Sequence, residues 1–313
     1  MSRAILFPGQ GSQAVGMGKD LAEAFPAARE VFQEVDDALD QRLSKLMFLG
    51  PESDLTLTEN AQPALMAVSL AVLRVVEVEG GKPLRDIAGL VAGHSLGEYS
   101  ALAAAGAIPL AVAARLLRTR GRAMQEAVPV GAGAMAAILG LDLEAVQAIA
   151  AEAAEGEICD IANDNGGGQL VVSGDVAAIE RAAALARERG AKRAIMLPVS
   201  APFHCTLMAP AATVMAEALD ATEIVEPAVP VVANVTAEAV SDPDAIRALL
   251  VRQVTAMVRW RESVGYLAAE GIERVAEFGA GKVLAGLVRR IEPDIATRSV
   301  GGPGDIEEFL KEV

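Results

Sequence analysis

The sequence predicts an α/β fold, with helices on both faces of a mostly parallel sheet and a smaller unit inserted part-way along. Short apolar runs that read as buried strands alternate with longer helical patterns through both ends of the chain. The 313 residues are 52% hydrophobic yet only 3% aromatic. Such a core is drawn from Ala, Val and Leu, which suits helices packed on a parallel sheet. Between Pro129 and Pro198 the order becomes strand, helix, strand, strand, helix, strand, the ferredoxin-like unit. The predicted division is a large α/β subdomain from 1–128 and 199–313, and a small one from 129–198.

Residues 4–7 (Ala-Ile-Leu-Phe) read as a first strand, stopped by the polar, glycine-rich loop Pro8-Gly9-Gln10-Gly11-Ser12-Gln13. Helical spacing follows over 18–37 and 61–79, and Gly80-Gly81-Lys82-Pro83 ends the second helix. Residues 87–92 read as a buried strand that breaks at Gly93 into an alanine-rich helix, and a further helix spans 110–127. In the small unit, 134–139 is a strand and 142–154 a helix capped by Asp142. Strands at 157–162 and 170–173 are parted by the turn Asn163-Asp164-Asn165-Gly166-Gly167-Gly168. Residues 175–189 are helical and 193–197 a strand. The large-subdomain style then resumes with a helix at 207–220, a strand at 229–233 and helices at 243–254 and from 260. A strand at 273–278 leads through Gly279-Ala280-Gly281 into a helix ending at 290.

The formal charge of −15 argues against nucleic acid as the main partner and against general attraction to anionic lipid. An acidic partner needs a local basic island. Two cysteines, Cys159 and Cys205, make no disulfide framework, so a reducing compartment is expected. No signal-peptide pattern opens the chain, and no apolar run reaches 18 residues without a charge. A cytoplasmic protein without membrane contact is the expectation.

Gly93-His94-Ser95-Leu96-Gly97 places a serine between two glycines at a strand-to-helix corner, the pattern of a nucleophile elbow. The same string also reads as a turn with a capping box, Ser95 with Glu98 three residues on. A nucleophilic serine needs a base that takes its proton near neutral pH, and histidine is the usual one. The chain has two. Neighbouring side chains at an elbow point apart, which leaves His204 rather than His94. A capping or buried structural role for His204 stays open. Cys205 is a rival nucleophile that lacks a second base, and packing as a small hydrophobe suits it better.

Along the helix at 110–127, Arg115, Arg118 and Arg122 share one face and read as a solvated stripe. Arg120 falls on the apolar side with Leu116, Leu117 and Met124. A buried guanidinium keeps its charge and needs an anionic partner. That partner is either one of the chain's own acids or the carboxylate of a charged acyl substrate. Gln10 and Gln13 sit in a loop of the kind that lines the ligand crevice of such sheets. A backbone amide there could join that of Leu96 as an oxyanion hole, or the glutamines could simply cap the loop.

Taken in order, Gly9-Gln10-Gly11-Ser12-Gln13, Gly93-His94-Ser95-Leu96-Gly97-Glu98-Tyr99-Ser100, Arg120-Gly121 and Phe203-His204 resemble the malonyl-CoA:acyl carrier protein transacylases of fatty acid synthesis. The resemblance runs from Phe7 to Ile291. It implies an α/β-hydrolase-like large subdomain carrying the ferredoxin-like insertion. It also implies Ser95 as the acylated residue, His204 as its base, and Gln253 as the residue whose main-chain carbonyl orients that histidine in place of a triad acid. Gln10 and Leu96 match the oxyanion amides, and Arg120 the partner of the malonyl carboxylate. Met124 is grouped with Arg120 on the substrate side, and Asn163 and Asn165 match cleft-lining asparagines of the small subdomain. Phe203 looks like the malonyl-selecting version of its motif. Ala280 departs from the family, many members of which carry proline there. The resemblance implies malonyl-CoA and acyl carrier protein as partners, a monomer, and no metal or other cofactor. Lys192 and Arg193, with Arg187 and Arg189 nearby, and Arg289 and Arg290 are the candidate carrier-docking cations, weighed against an ordinary solvated face. The competing activity is hydrolysis by the same elbow, with Asp160, Asp164 or Asp175 in triad order but poorly placed in the small subdomain.

Overall fold

A computed structural model describes residues 2–313. A six-stranded sheet is built from β1 (Arg3–Phe7), β2 (Leu90–Gly93), β7 (Val231–Val232), β8 (Ala239–Val240), β9 (Arg274–Phe278) and β10 (Ala296–Val300), in the order β10-β9-β1-β2-β7-β8. All pairings are parallel except the β7–β8 edge. Successive side chains of a strand face opposite sides. Ile5 and Phe7 accordingly enter the core under the Thr58–Gly80, Leu96–Ala104 and Leu110–Glu126 helices, while Ala4 and Leu6 face the Trp260–Ala269 and Val283–Ile291 helices.

The second sheet holds β3 (Gly133–Leu139), β4 (Cys159–Asp164), β5 (Gln169–Asp175) and β6 (Arg193–Met196), in the order β4-β5-β3-β6 and antiparallel throughout. Ala136, Ile138, Leu170 and Val172 pack under the Leu143–Ala154 and Val176–Glu188 helices. Met135, Ala137, Ala162 and Val171 turn the other way and join the main core. One face of the small sheet therefore forms a wall against the large part of the chain.

The register fixes where chemistry can occur. Phe7 pairs with Gly93, and the His94 N–H donates to the Phe7 carbonyl at 3.1 Å, so the loops leaving β1 and β2 lie side by side. The Asn234 segment leaves β7 on the same edge.

Several elements differ from the sequence expectation. The helix expected over 18–37 is two, Lys19–Ala24 and Pro26–Leu39, because Phe25 precedes proline and is extended at φ −125°. The strand expected at 87–92 is only Leu90–Gly93. Leu84–Ile87 instead forms one helical turn after Pro83, with the Leu84 N–H held by the Glu77 carboxylate. β4 extends through Asn163 and Asp164, expected in a turn, by means of an irregularity between Ile161 and Asn163. The 229–233 strand shrinks to the pair Val231–Val232. The helices Leu43–Leu49, Glu52–Leu55 and Pro303–Leu310 and the strands β8 and β10 are additional. The Thr58–Gly80 helix is long and apolar enough to cross a membrane, but 83% of its apolar window is buried within the fold.

Candidate active site

Ser95 sits at φ 54° and ψ −111°, a backbone conformation a non-glycine residue adopts only under constraint. The constraint comes from Asn234. Its Oδ1 accepts the Ser95 N–H and its Nδ2 donates to the Gly93 carbonyl, both at 2.7 Å. The flanking glycines are required by contact rather than by torsion, since a Cβ at Gly93 would strike the Gly97 carbonyl and one at Gly97 the Phe7 carbonyl. The capping box does not form: the Ser95 side chain makes no cap bond, and Glu98 bonds elsewhere.

Ser95 Oγ lies 2.7 Å from His204 Nε2, and His204 Nδ1 lies 2.9 Å from the Gln253 carbonyl. A carbonyl only accepts, so Nδ1 carries the proton and Nε2 is free to accept the serine hydroxyl. The imidazole is 3% exposed. Burial, aided by the positive charge of Arg120, pushes its pKa down to about 3, which keeps the ring neutral at neutral pH. His204 also has φ 56°, so both members of the pair rest on strained backbone. His94 turns away, its Nε2 3.0 Å from Asn165 Oδ1.

Arg120 is 1% exposed and forms no ion pair with a carboxylate among the described residues. Its Nη1 donates to Gln62 Oε1 at 2.8 Å, and its Nη2 to Gln253 Oε1 at 2.9 Å and Ser95 Oγ at 3.1 Å. Its Nε has no partner. The face of Tyr99 lies 5.7 Å away. The internal salt bridge that the sequence left open is absent, and a buried cation points at the serine. Of the arginine stripe, Arg115 and Arg122 are exposed as expected, Arg122 pairing with the Glu59 carboxylate at the surface, while Arg118 is half-buried with its Nε on the Glu59 carbonyl.

These groups open onto a cavity of about 690 Å³ lined also by Gln10, Gln13, Gln62, Met124, Met135, Asn163 and Phe203. Leu96 is the first residue of its helix, so its N–H has no intrahelical acceptor. Asn165 is not on the cavity wall; it acts on His94. Asp160 accepts from Thr206 N–H and Oγ1, Asp164 from Arg261 and Gly166 N–H, and Asp175 from Ile158 N–H, so none meets His204. Cys205 is buried with its thiol bonded to the Pro202 carbonyl, and desolvation pushes its pKa up to about 11, which removes it as a nucleophile.

Gln62, Glu98 and Asn234 are the members of the site that sequence reasoning did not assign there. Gln62 is a polar residue in an otherwise apolar helix, and Asn234 directly follows a buried strand end. Those are weak signals that could have flagged them.

Lys192, Arg193, Arg289 and Arg290 are exposed and without a carboxylate partner among the described residues. Lys192 lies over Gly140 and Arg290 over Gly167, in turns joined by the Gly140 N–H donating to the Gly168 carbonyl at 2.7 Å. Lys192 and Arg290 thus sit on adjoining turns, while Arg289 bonds Thr297. Arg187 is engaged with the Ala194 carbonyl and Arg189 with Glu152.

Comparison with known proteins shows the family. The acyl transferase domain model matches residues 5–290. The malonyl CoA-acyl carrier protein transacylase of Bacillus subtilis is 48% identical over 99% of this chain and 97% of its own, and that of Escherichia coli K12 is 47% identical over 98% of each. The crystal structure of an acyl-carrier-protein S-malonyltransferase from Bartonella henselae superposes with a TM-score of 0.97 at 55% identity, covering 100% of this chain and 99% of that one. A malonyl-transacylase solved in complex with its type II PKS acyl-carrier protein superposes at 0.96 with 44% identity over 100% of both chains.

Proposed function

The chain belongs to the acyl transferase domain family, and from that premise we propose that it moves the malonyl group from malonyl-CoA to the phosphopantetheine thiol of acyl carrier protein in fatty acid synthesis. One observation carries the assignment: a neutral base and a buried, unpaired cation meet at one serine oxygen, at 2.7 and 3.1 Å. The base activates a nucleophile and the cation selects an acyl group that brings its own negative charge.

In the first half-reaction His204 Nε2 takes the Ser95 proton as Oγ bonds to the thioester carbon. The oxyanion rests on the amides of Gln10 and Leu96, and Arg120 holds the malonyl carboxylate. Collapse breaks the carbon–sulfur bond, and CoA leaves as the thiol with the proton from His204. In the second half the carrier thiol gives its proton to His204, attacks the seryl ester and leaves as malonyl-carrier, returning the proton to Ser95. Met124 and Phe203 border the acyl group, and Asn163 reaches it from the small subdomain (129–198), inserted into the large one (1–128 and 199–313). Every group named is on one chain, so a monomer suffices. The steps use no metal or other cofactor, and the setting is the cytoplasm. Lys192, Arg193, Arg289 and Arg290 form the docking surface for the acidic carrier.

Brief exposure to malonyl-CoA followed by intact-mass measurement tests this. Wild type gains one malonyl group and Ser95→Ala none, and adding carrier transfers the group stoichiometrically. Release of free malonate in place of malonyl-carrier overturns the transferase assignment.

A further inference from the structure

Gln253 presents two chemically opposite ends to its surroundings. Its Oε1 faces Arg120 Nη2 at 2.9 Å, and its Nε2 donates to the Ser95 carbonyl at 3.0 Å and to Glu98 Oε2 at 2.8 Å. Guanidinium offers only donors, and a carbonyl or carboxylate oxygen only accepts. Turned over, the amide would set donor against donor and acceptor against acceptor, and all three contacts would be lost. Glu98 is therefore one of three acceptors that keep the amide oxygen facing Arg120, at a shorter distance than the Ser95 carbonyl and than Asn234 Oδ1, which lies 3.4 Å from the same Nε2. It is 2% exposed, and the same Oε2 also accepts the Asn234 N–H at 3.0 Å, which ties it to the residue clamping the elbow. Arg120 depends on this arrangement. Among the described residues its guanidinium is anchored by only two side-chain amides, Gln62 and Gln253, besides the serine itself.

We infer that Glu98 is a positioning residue for the substrate carboxylate: it holds the Gln253 amide in one sense, and that amide holds the Arg120 guanidinium toward Ser95. The inference rests on the function proposed above. Glu98 touches neither substrate nor reacting atoms. Desolvation pushes its carboxyl up to about 7. The protonated form still offers an accepting oxygen, so the role is one of hydrogen-bond direction rather than charge.

The test compares acylation of Ser95 by malonyl-CoA and by acetyl-CoA, which lacks the carboxylate and reports on the serine–histidine chemistry alone. In Glu98→Leu the malonyl-to-acetyl ratio of kcat/KM should fall at least about tenfold, mostly through KM for malonyl-CoA, since an anchor on a charged group is lost. Glu98→Gln retains an oxygen that can accept the same two donors, and should keep the ratio within about twofold of wild type. A common fall for both substrates in Glu98→Leu, an unmoved ratio, or a Gln variant as impaired as the Leu variant overturns the inference. If Glu98→Leu does not fold by circular dichroism, Glu98→Asp replaces it. Shortened by one methylene, its carboxylate should lose both donors and the ratio should fall likewise, and an unchanged ratio again overturns the role. Wild type separates the two levels. If it forms no malonyl-serine, the proposed function fails, whereas normal wild-type preference with an unmoved variant ratio sinks only the role of Glu98.

Discussion

Arg120→Ala separates the two things a buried arginine can do, bind a ligand or hold the fold. The guanidinium is 1% exposed and bonded only to neutral groups: Gln62 Oε1, Gln253 Oε1 and Ser95 Oγ. A malonyl carboxylate at this fork makes two charge-assisted hydrogen bonds in a site shielded from water, each contributing about 1.5–3 kcal/mol. Losing both removes about 3 kcal/mol at the low end, roughly a hundredfold in kcat/KM for malonyl-CoA. Acetyl-CoA has no carboxylate, so its kcat/KM should fall far less, through the lost Arg120 contact to Ser95 Oγ and not through substrate binding. Stability should move differently. Burial already lowers the arginine's pKa, the mark of a desolvated cation, and no carboxylate is in contact to be stranded by its removal. Stability should fall only modestly, by about 1–3 kcal/mol, for the Gln62 and Gln253 amide oxygens left without a donor. Removing one member of a buried ion pair would instead cost about 3–5 kcal/mol. Paired acylation rates and urea titrations decide it. An unaltered malonyl-to-acetyl ratio with a large loss of stability would refute the substrate role and return Arg120 to the fold.

Asn234→Ala leaves the Ser95 N–H and Gly93 carbonyl without their clamp while the strained φ of 54° remains. Stability should fall by about 1–3 kcal/mol, with a slower acylation step in single-turnover kinetics, and an unaffected acylation rate would show that the elbow is held by other means. His204 has its pKa lowered from 6.5 to about 3. Below pH 6.5 the unfolded chain therefore binds a proton that the folded one refuses, and stability is lost as pH falls from 6.5 toward 3. The effect reaches on the order of 5 kcal/mol at the acid end. His204→Gln should flatten the unfolding free energy against pH across that window, and a parallel curve would mean that the histidine titrates normally in the fold. Reversing Lys192 and Arg193 to glutamate should raise KM for the carrier several-fold, with the effect shrinking at high salt. An unchanged carrier KM would leave that patch an ordinary solvated face.

What the sequence made legible is what short-range chemistry determines. The elbow could be read because two glycines, a serine and the switch from apolar run to helix lie within a few residues. His204 stood out because the chain has only two histidines. Arg120 stood out because helical spacing set it against leucines. Gln62 and Asn234 were not legible, since their meaning comes from partners 58 and 139 residues away, Arg120 and Ser95. Glu98 was visible but misread. A glutamate three residues after a serine is locally a capping box, and only the arrival of Asn234 and Gln253 redirects its carboxylate. In the fold, the strongly periodic helices lay close to expectation. The misplaced elements were short ones such as Leu84–Ile87 and Val231–Val232, and edge strands such as β10, whose Ala-Thr-Arg-Ser-Val carries little apolar pattern.

The neutral group behind His204 follows from the charge of the substrate. An aspartate in that position would add a second negative charge to the site that takes the malonyl carboxylate, and like charges repel. The Gln253 carbonyl fixes the same tautomer without that repulsion. Burial raises the carboxyl of Glu98, which bonds the Gln253 amide, to about 7, so it is only partly ionised near neutral pH. Among the described residues lining the cavity, Arg120 is left as the one permanent charge. The weaker support for a developing imidazolium is tolerable because the leaving group is a thiol. With a pKa near that of cysteine, about 8.5, it departs with far less help from a proton than an amine requires. A serine–histidine dyad on a backbone carbonyl is thus matched to a thioester that carries a negative charge of its own.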